Sequence, residues 1–264
     1  MKARWGWGSA ALAATLAGAV AACGGADTNA GTVRASAGAD DATMSKGEVS
    51  DVAASAAPLR VVFMGTSLTA GFGLETSDAY PALVQRKADS AGLAIRVVNA
   101  GVSGETSAGA ARRADWVLKD PVDLFVLETG ANDGLRGQPV EAMEQNLRRI
   151  IARAQARWPK AAVALVQMEA MSNLGDRYQR SFHDVFPRVA TSTHATLLPF
   201  ILDGVAGRAA LNQNDGVHPN EAGERIVAEN AWRAIRPLVE ARLLARRPGV
   251  AITAESRGSA HRRG

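Results

Sequence analysis

Cysteine is almost missing from this 264-residue chain: Cys23 is the only one, so no disulfide can form within the molecule. Histidine is nearly as scarce, with four residues, and no Cys/His cluster has the spacing of a zinc site. Aromatic residues make up 5% and do not interleave with basic ones, which removes the stacking platform of a nucleic-acid binder. Gly71-Phe72-Gly73 lacks the third glycine of a dinucleotide fingerprint, and no Gly-Lys-Ser/Thr phosphate loop occurs. Acidic residues do not gather at metal-like spacing. No metal, no cofactor and no nucleic-acid partner are therefore expected. There is also no internal repeat and no second core, so a single folded domain is expected, acting as a monomer.

The two ends have a composition of their own. Lys2 and Arg4 give a positive start, and Ser9 to Val20 form an apolar run too short to remain as a membrane-spanning helix. Residues 1–22 thus read as a secretory signal. Val20-Ala21-Ala22-Cys23 resembles a bacterial lipobox, which implies lipidation of Cys23; ordinary cleavage after Ala19-Val20-Ala21 is the alternative. Gly24 after the cysteine points, by the same resemblance, to the outer membrane, facing the periplasm. From 23 to 58 the chain is Ala, Gly, Ser and Thr with scattered charge, too poor in large apolar side chains to offset its ordering entropy, and is expected to be a flexible tether. Residues 246–264 carry five arginines without apolar periodicity and are expected to be a basic, solvated tail.

Between Pro58 and Ala245 the apolar pattern alternates. Leu59–Met64, Ile95–Asn99, Leu124–Leu127, Ala162–Val166 and, more weakly, Thr196–Phe200 are short apolar runs, as in parallel strands covered on both faces. Helical stretches separate or follow them, at about Tyr80–Ala91, Ser107–Leu118, Val140–Trp158, Arg177–His194 and Asn220–Leu244. Met143, Leu147, Ile150, Ile151 and Ala154 form a stripe at three-and-four spacing that reads as core. Such alternation predicts a three-layer α/β/α sandwich around a five-stranded parallel sheet over residues 59–245, with ligands bound outside the carboxyl ends of the strands.

Four segments fall where they could converge at that edge: Gly65-Thr66-Ser67-Leu68, Ser103-Gly104-Glu105-Thr106, Gly130-Ala131-Asn132-Asp133 and Asp215-Gly216-Val217-His218-Pro219. A serine hydroxyl needs a base before it becomes a good nucleophile. Asp215 and His218, three apart in a loop, allow the carboxylate to accept from Nδ1 and leave Nε2 to face Ser67. Gly104 can offer an unobstructed N–H, Asn132 its side-chain amide and Ser67 its own N–H to an oxyanion. Singly, each segment also has a plainer use as a turn or a helix cap. His183 and His194, in an amphipathic helix, and His261 read as structural or incidental.

These four segments resemble the blocks of the SGNH hydrolases, or GDSL esterases/lipases, over nearly all of Leu59 to Leu244. The stretches Asn99–Ser107, Gly130–Gly137 and Gln167–Ala170 carry a narrower likeness to the bacterial periplasmic arylesterase, acyl-CoA thioesterase and lysophospholipase branch. The resemblance implies a flavodoxin-like sheet and an esterase acting on a small ester, thioester or acyl substrate. It implies a triad of Ser67, His218 and Asp215, with Ser67, Gly104 and Asn132 as the oxyanion hole. A long-chain thioesterase or lysophospholipase, a sugar O-deacetylase, and a catalytically impaired acyl- or glycan-binding lipoprotein are the alternatives. One position departs from the family: Thr66 stands where an Asp is usual, and its hydroxyl is expected to accept some of the bonds that an Asp would take, without the charge.

Overall fold

The computed structural model describes residues 57–246; the expected signal, Cys23 and nearly all of the expected tether and tail lie outside the described residues. Five strands, β1 (Leu59–Gly65), β2 (Ile95–Gly101), β3 (Leu124–Leu127), β4 (Ala162–Val166) and β5 (Thr196–Leu198), form one parallel sheet in the order β2-β1-β3-β4-β5. Among the described residues seven α-helices accompany it: α1 (Ser67–Ala70), α2 (Tyr80–Ser90), α3 (Ser107–Val117), α4 (Ala131–Leu135), α5 (Val140–Arg157), α6 (Asp176–Thr193) and α7 (Glu221–Ala245). α2 and α7 pack together beside β2 and β1, while α3, α5 and α6 pack in series, α3 against β1, α5 against β4 and α6 against β4 and β5. The sandwich expected from the alternating pattern is the observed architecture.

The apolar runs do not all behave alike. β1, β3 and β4 are buried nearly throughout, and Phe63, Met64, Phe125 and Leu127 are sealed in the core. β2 and β5 are the edges; after the buried Ile95 the residues of β2 are half-buried or exposed, and Leu197 of β5 is 38% exposed. The fifth strand stops at Leu198, two residues short of the apolar run, because Pro199 has no N–H to extend the ladder. The stripe on α5 is buried as its period requires.

The first and last described residues are clasped together. Arg246, just past α7, donates to the Ala57 carbonyl at 2.9 Å and pairs with Asp123, whose other carboxylate oxygen accepts the Arg60 N–H at 2.8 Å. This clasp lies where β1 begins, at the edge opposite the strand ends that carry the candidate site.

Candidate active site

The sheet order places the site. The chain runs from β1 to β2 on one side and then to β3 on the other, so the crevice at the carboxyl ends of β1 and β3 is the switch point where ligands bind in such sheets. Ser67 follows β1, Gly104 follows β2, Asn132 follows β3, and His218 precedes α7.

Ser67 is the first residue of the short α1, which the apolar pattern does not reveal, and Thr66 is its N-cap. Gly65 is needed at this turn: a Cβ there would lie 1.9 Å from Thr69 Oγ1 and 2.6 Å from Glu128 Oε2. The Ser67 Oγ lies 2.8 Å from His218 Nε2, and His218 Nδ1 lies 2.6 Å from Asp215 Oδ2. Asp215 Oδ1 accepts the N–H of Val217 at 2.9 Å and of His218 at 3.0 Å, so the loop is folded around its own carboxylate. Partial burial pushes the Asp215 carboxyl up, but the hydrogen bonds from His218 and Val217 outweigh it and hold the group below its ordinary value. The Phe72 ring covers the imidazole, 4.7 Å away between centroids. Pro219 stands just before the α7 cap; Asn220 caps the helix by accepting from Ala222 and Gly223.

One expected oxyanion donor is tied to the loop that carries another. Asn132 Nδ2 donates to the Glu105 carbonyl at 3.0 Å, which ties the loop after β2 to α4. Asp133 beside it accepts the N–H of Ser107 at 2.7 Å and its hydroxyl at 2.6 Å, anchoring α4 to the start of α3. Gly104 has φ +75°, a backbone that side chains rarely adopt, and its carbonyl accepts from Arg136 at 2.9 Å. Among the described residues no hydrogen bond engages the N–H of Gly104 or Ser67. The Glu105 carboxylate holds Arg113 through both oxygens, and Arg113 reaches the Gly65 carbonyl at 3.2 Å.

A depression of about 500 Å³ beside this edge is lined by Val102, Gly104, Arg112 and Arg136, among others. A larger one, about 930 Å³, lies between α2 and α7 and contains none of the candidate site residues. Phe72, Val102, Leu135 and Met171 are each at least 40% exposed, and all lie on segments that follow the strand ends. Among the described residues no group of His, Cys, Asp and Glu is arranged to hold a metal ion. His183 pairs with Glu169 at 2.8 Å, and His194 ends α6 in a left-handed conformation; Cys23 and His261 lie outside the described residues.

Two parts of the site are absent from the motif reading. Glu128 directly continues β3 and lies buried under the turn that carries Ser67; its only sequence signal is an acid that extends an apolar strand. The Thr66 hydroxyl, expected to accept, instead donates to Glu128, 3.0 and 3.1 Å from its two oxygens.

A parallel α/β sandwich that presents serine, imidazole and carboxylate in hydrogen-bonded series at its strand ends has the build of a serine-type hydrolase. Residues 63–226 match the model of the GDSL-like Lipase/Acylhydrolase family, and the chain belongs to that family. It is a carboxylic ester hydrolase of the SGNH type. Esterase TesA of Pseudomonas aeruginosa is 38% identical over 185 residues, covering 70% of this chain and 91% of that protein. Thioesterase 1/protease 1/lysophospholipase L1 of Escherichia coli K12 is 36% identical over 180 residues, 68% of this chain and 84% of that protein. Among solved structures, the psychrotrophic esterase EstA from Pseudoalteromonas sp., inhibited by monoethylphosphonate, aligns with a TM-score of 0.65 at 34% identity, covering 69% of this chain and 98% of that one.

Proposed function

We propose that Ser67, His218 and Asp215 are the catalytic triad of an esterase whose substrates pair an apolar acyl group with an ester or thioester link. The observation that carries this reading is the relay of 2.6 and 2.8 Å from Asp215 through His218 to Ser67. His218 Nε2 takes the Ser67 proton as Oγ attacks the carbonyl carbon, and Asp215 holds the imidazole in the required tautomer. The carbonyl oxygen, now negative, is met by the N–H groups of Ser67 and Gly104 and the Asn132 amide. The imidazolium then protonates the leaving alcohol or thiol, and a water, deprotonated by the same nitrogen, releases the acid from Ser67.

The exposed apolar rim of Phe72, Val102, Leu135 and Met171 supports an acyl group lying across the strand ends. It also favours, as a second reading, the longer acyl chains of a thioesterase or lysophospholipase. We propose in addition that Cys23 carries a lipid anchor that holds the domain in the periplasm at the outer membrane; no described helix is long and apolar enough to cross a membrane. The test of the central reading is labelling by a fluorophosphonate. Wild type should react at one serine and Ser67→Ala should not, with turnover of a p-nitrophenyl ester falling by about 10⁴-fold or more. Retention of a tenth of the wild-type rate in Ser67→Ala would assign the nucleophile elsewhere.

A further inference from the structure

The turn that carries Ser67 rests on a buried acid that the relay does not use. Glu128 is 1% exposed. Its Oε2 accepts the Thr66 N–H at 2.9 Å and the Thr69 hydroxyl at 2.9 Å, and the Thr66 hydroxyl lies within reach of both its oxygens. Thr66 immediately precedes the nucleophile and Thr69 lies on the same short helix, so the bonds fix α1 from both sides of Ser67. The contacts continue. Thr69 Oγ1 is 2.8 Å from the Tyr80 hydroxyl, and the Tyr80 N–H, at the start of α2, donates to Glu224 Oε2 at 2.7 Å. Glu224 lies in the first turn of α7, the helix that the His218 loop leads into. One buried polar chain therefore runs from the nucleophile turn to the base of the histidine loop.

Burial alone is an expensive way to place an acid. An isolated buried polar group costs several kcal/mol, and an apolar side chain of similar volume would pack a strand end with less penalty. Burial pushes the Glu128 carboxyl up, while the bonds from Thr66 and Thr69 pull it back. No cation pairs with it among the described residues: Arg113, which bonds the neighbouring Gly65 carbonyl, is held by Glu105. What a carboxyl supplies here is acceptor capacity, with lone pairs enough for one N–H and two hydroxyls at once. Thr66 brings no carboxylate to the turn, so the acceptor comes from β3.

We propose that Glu128 is a positioning residue for Ser67. Resting on the esterase reading above, it holds the nucleophile turn through Thr66 and Thr69 in register with the His218 loop through Tyr80 and Glu224. Its work is geometric, acting on where Oγ sits relative to Nε2, and misplacements of about 1 Å at such sites cost about 10²-fold in rate.

The test uses the full chain as wild type, Glu128→Ala and Glu128→Gln, with active sites counted by fluorophosphonate titration and turnover read on a short-chain p-nitrophenyl ester. Glu128→Ala should lower kcat per titrated site by about 10²-fold with KM within about twofold, because ground-state binding does not pass through the turn. Glu128→Gln keeps one acceptor oxygen and should recover at least a fivefold share of that loss. The rate of phosphonylation at saturating probe should fall in the same order. A per-site kcat for Glu128→Ala within threefold of wild type would overturn the inference. So would a loss confined to the number of titratable sites, which marks a fold effect alone, or a Glu128→Gln no better than Glu128→Ala. A wild type that neither turns over ester nor reacts with the probe removes the esterase reading itself, and this inference with it.

Discussion

Asn132 shows how one side chain can be both fixed and available. Its amide has two N–H bonds; one holds the Glu105 carbonyl, and the other is free to meet an oxyanion without a further search for orientation. Asn132→Ala is accordingly expected to lower kcat by about 10²–10³-fold with little change in KM. A change confined to KM would instead make Asn132 a ground-state contact. Glu224 offers a separate reading of the buried chain. Burial first, then the nearby Glu128, pushes its carboxyl up to about 8 against the bond it accepts from Tyr80. The folded state thus holds this proton more tightly than the unfolded state does. Stability from this group is full below about pH 4.5 and is lost as pH rises towards about 8. Thermal midpoints of wild type should fall over that window more steeply than those of Glu224→Gln; parallel curves would show that Glu224 does not titrate there. Of the candidate site residues, Ser67, His218, Asp215, Gly104 and Asn132 could be picked out because each belongs to a short motif. Glu128 and the donor role of Thr66 were not, because the direction of a side chain at a strand end depends on what folds over it.

Secondary elements were legible in proportion to their length and period. The five long helices appear within a residue or two of their expected limits, since a stripe of apolar residues over three or more turns leaves little freedom. α1 and α4 escaped notice because four or five residues cannot display a period, although both carry site residues. The difference between central and edge strands was only half visible: the run that becomes β5 is weaker than the other four, but nothing marks β2, and the strand order makes both of them edges. α6 and α7 continue through Pro187 and Pro237, against the usual cost of a lost hydrogen bond and a steric clash. Pro237 is exposed, and the buried Ile235 and Val239 hold the helix on either side of it. Pro237→Ala should therefore stabilise the domain by about 1–2 kcal/mol, the helix gain less the lost stiffness of the unfolded chain. A thermal midpoint raised by a few degrees would register this; an unchanged or lowered one would mean the helix has already relaxed around the ring.

For the molecule as a whole, the proposed anchor and the domain separate cleanly in experiment. Cys23→Ser should leave the protein unprocessed or released from membranes, with kcat and KM of the domain unchanged. Mass spectrometry of the native protein should find acyl groups on Cys23, and an unmodified mature N-terminus there would remove the anchor. The clasp of Arg246 on Ala57 and Asp123 bears on any such attachment. It gathers both described ends of the domain at one pole, and the seven residues of β1 set Ser67 at the other, about 20 Å off. A carrier, a solid support or a second protein joined close to Ala57 or Arg246 would thus take hold at the pole opposite Ser67.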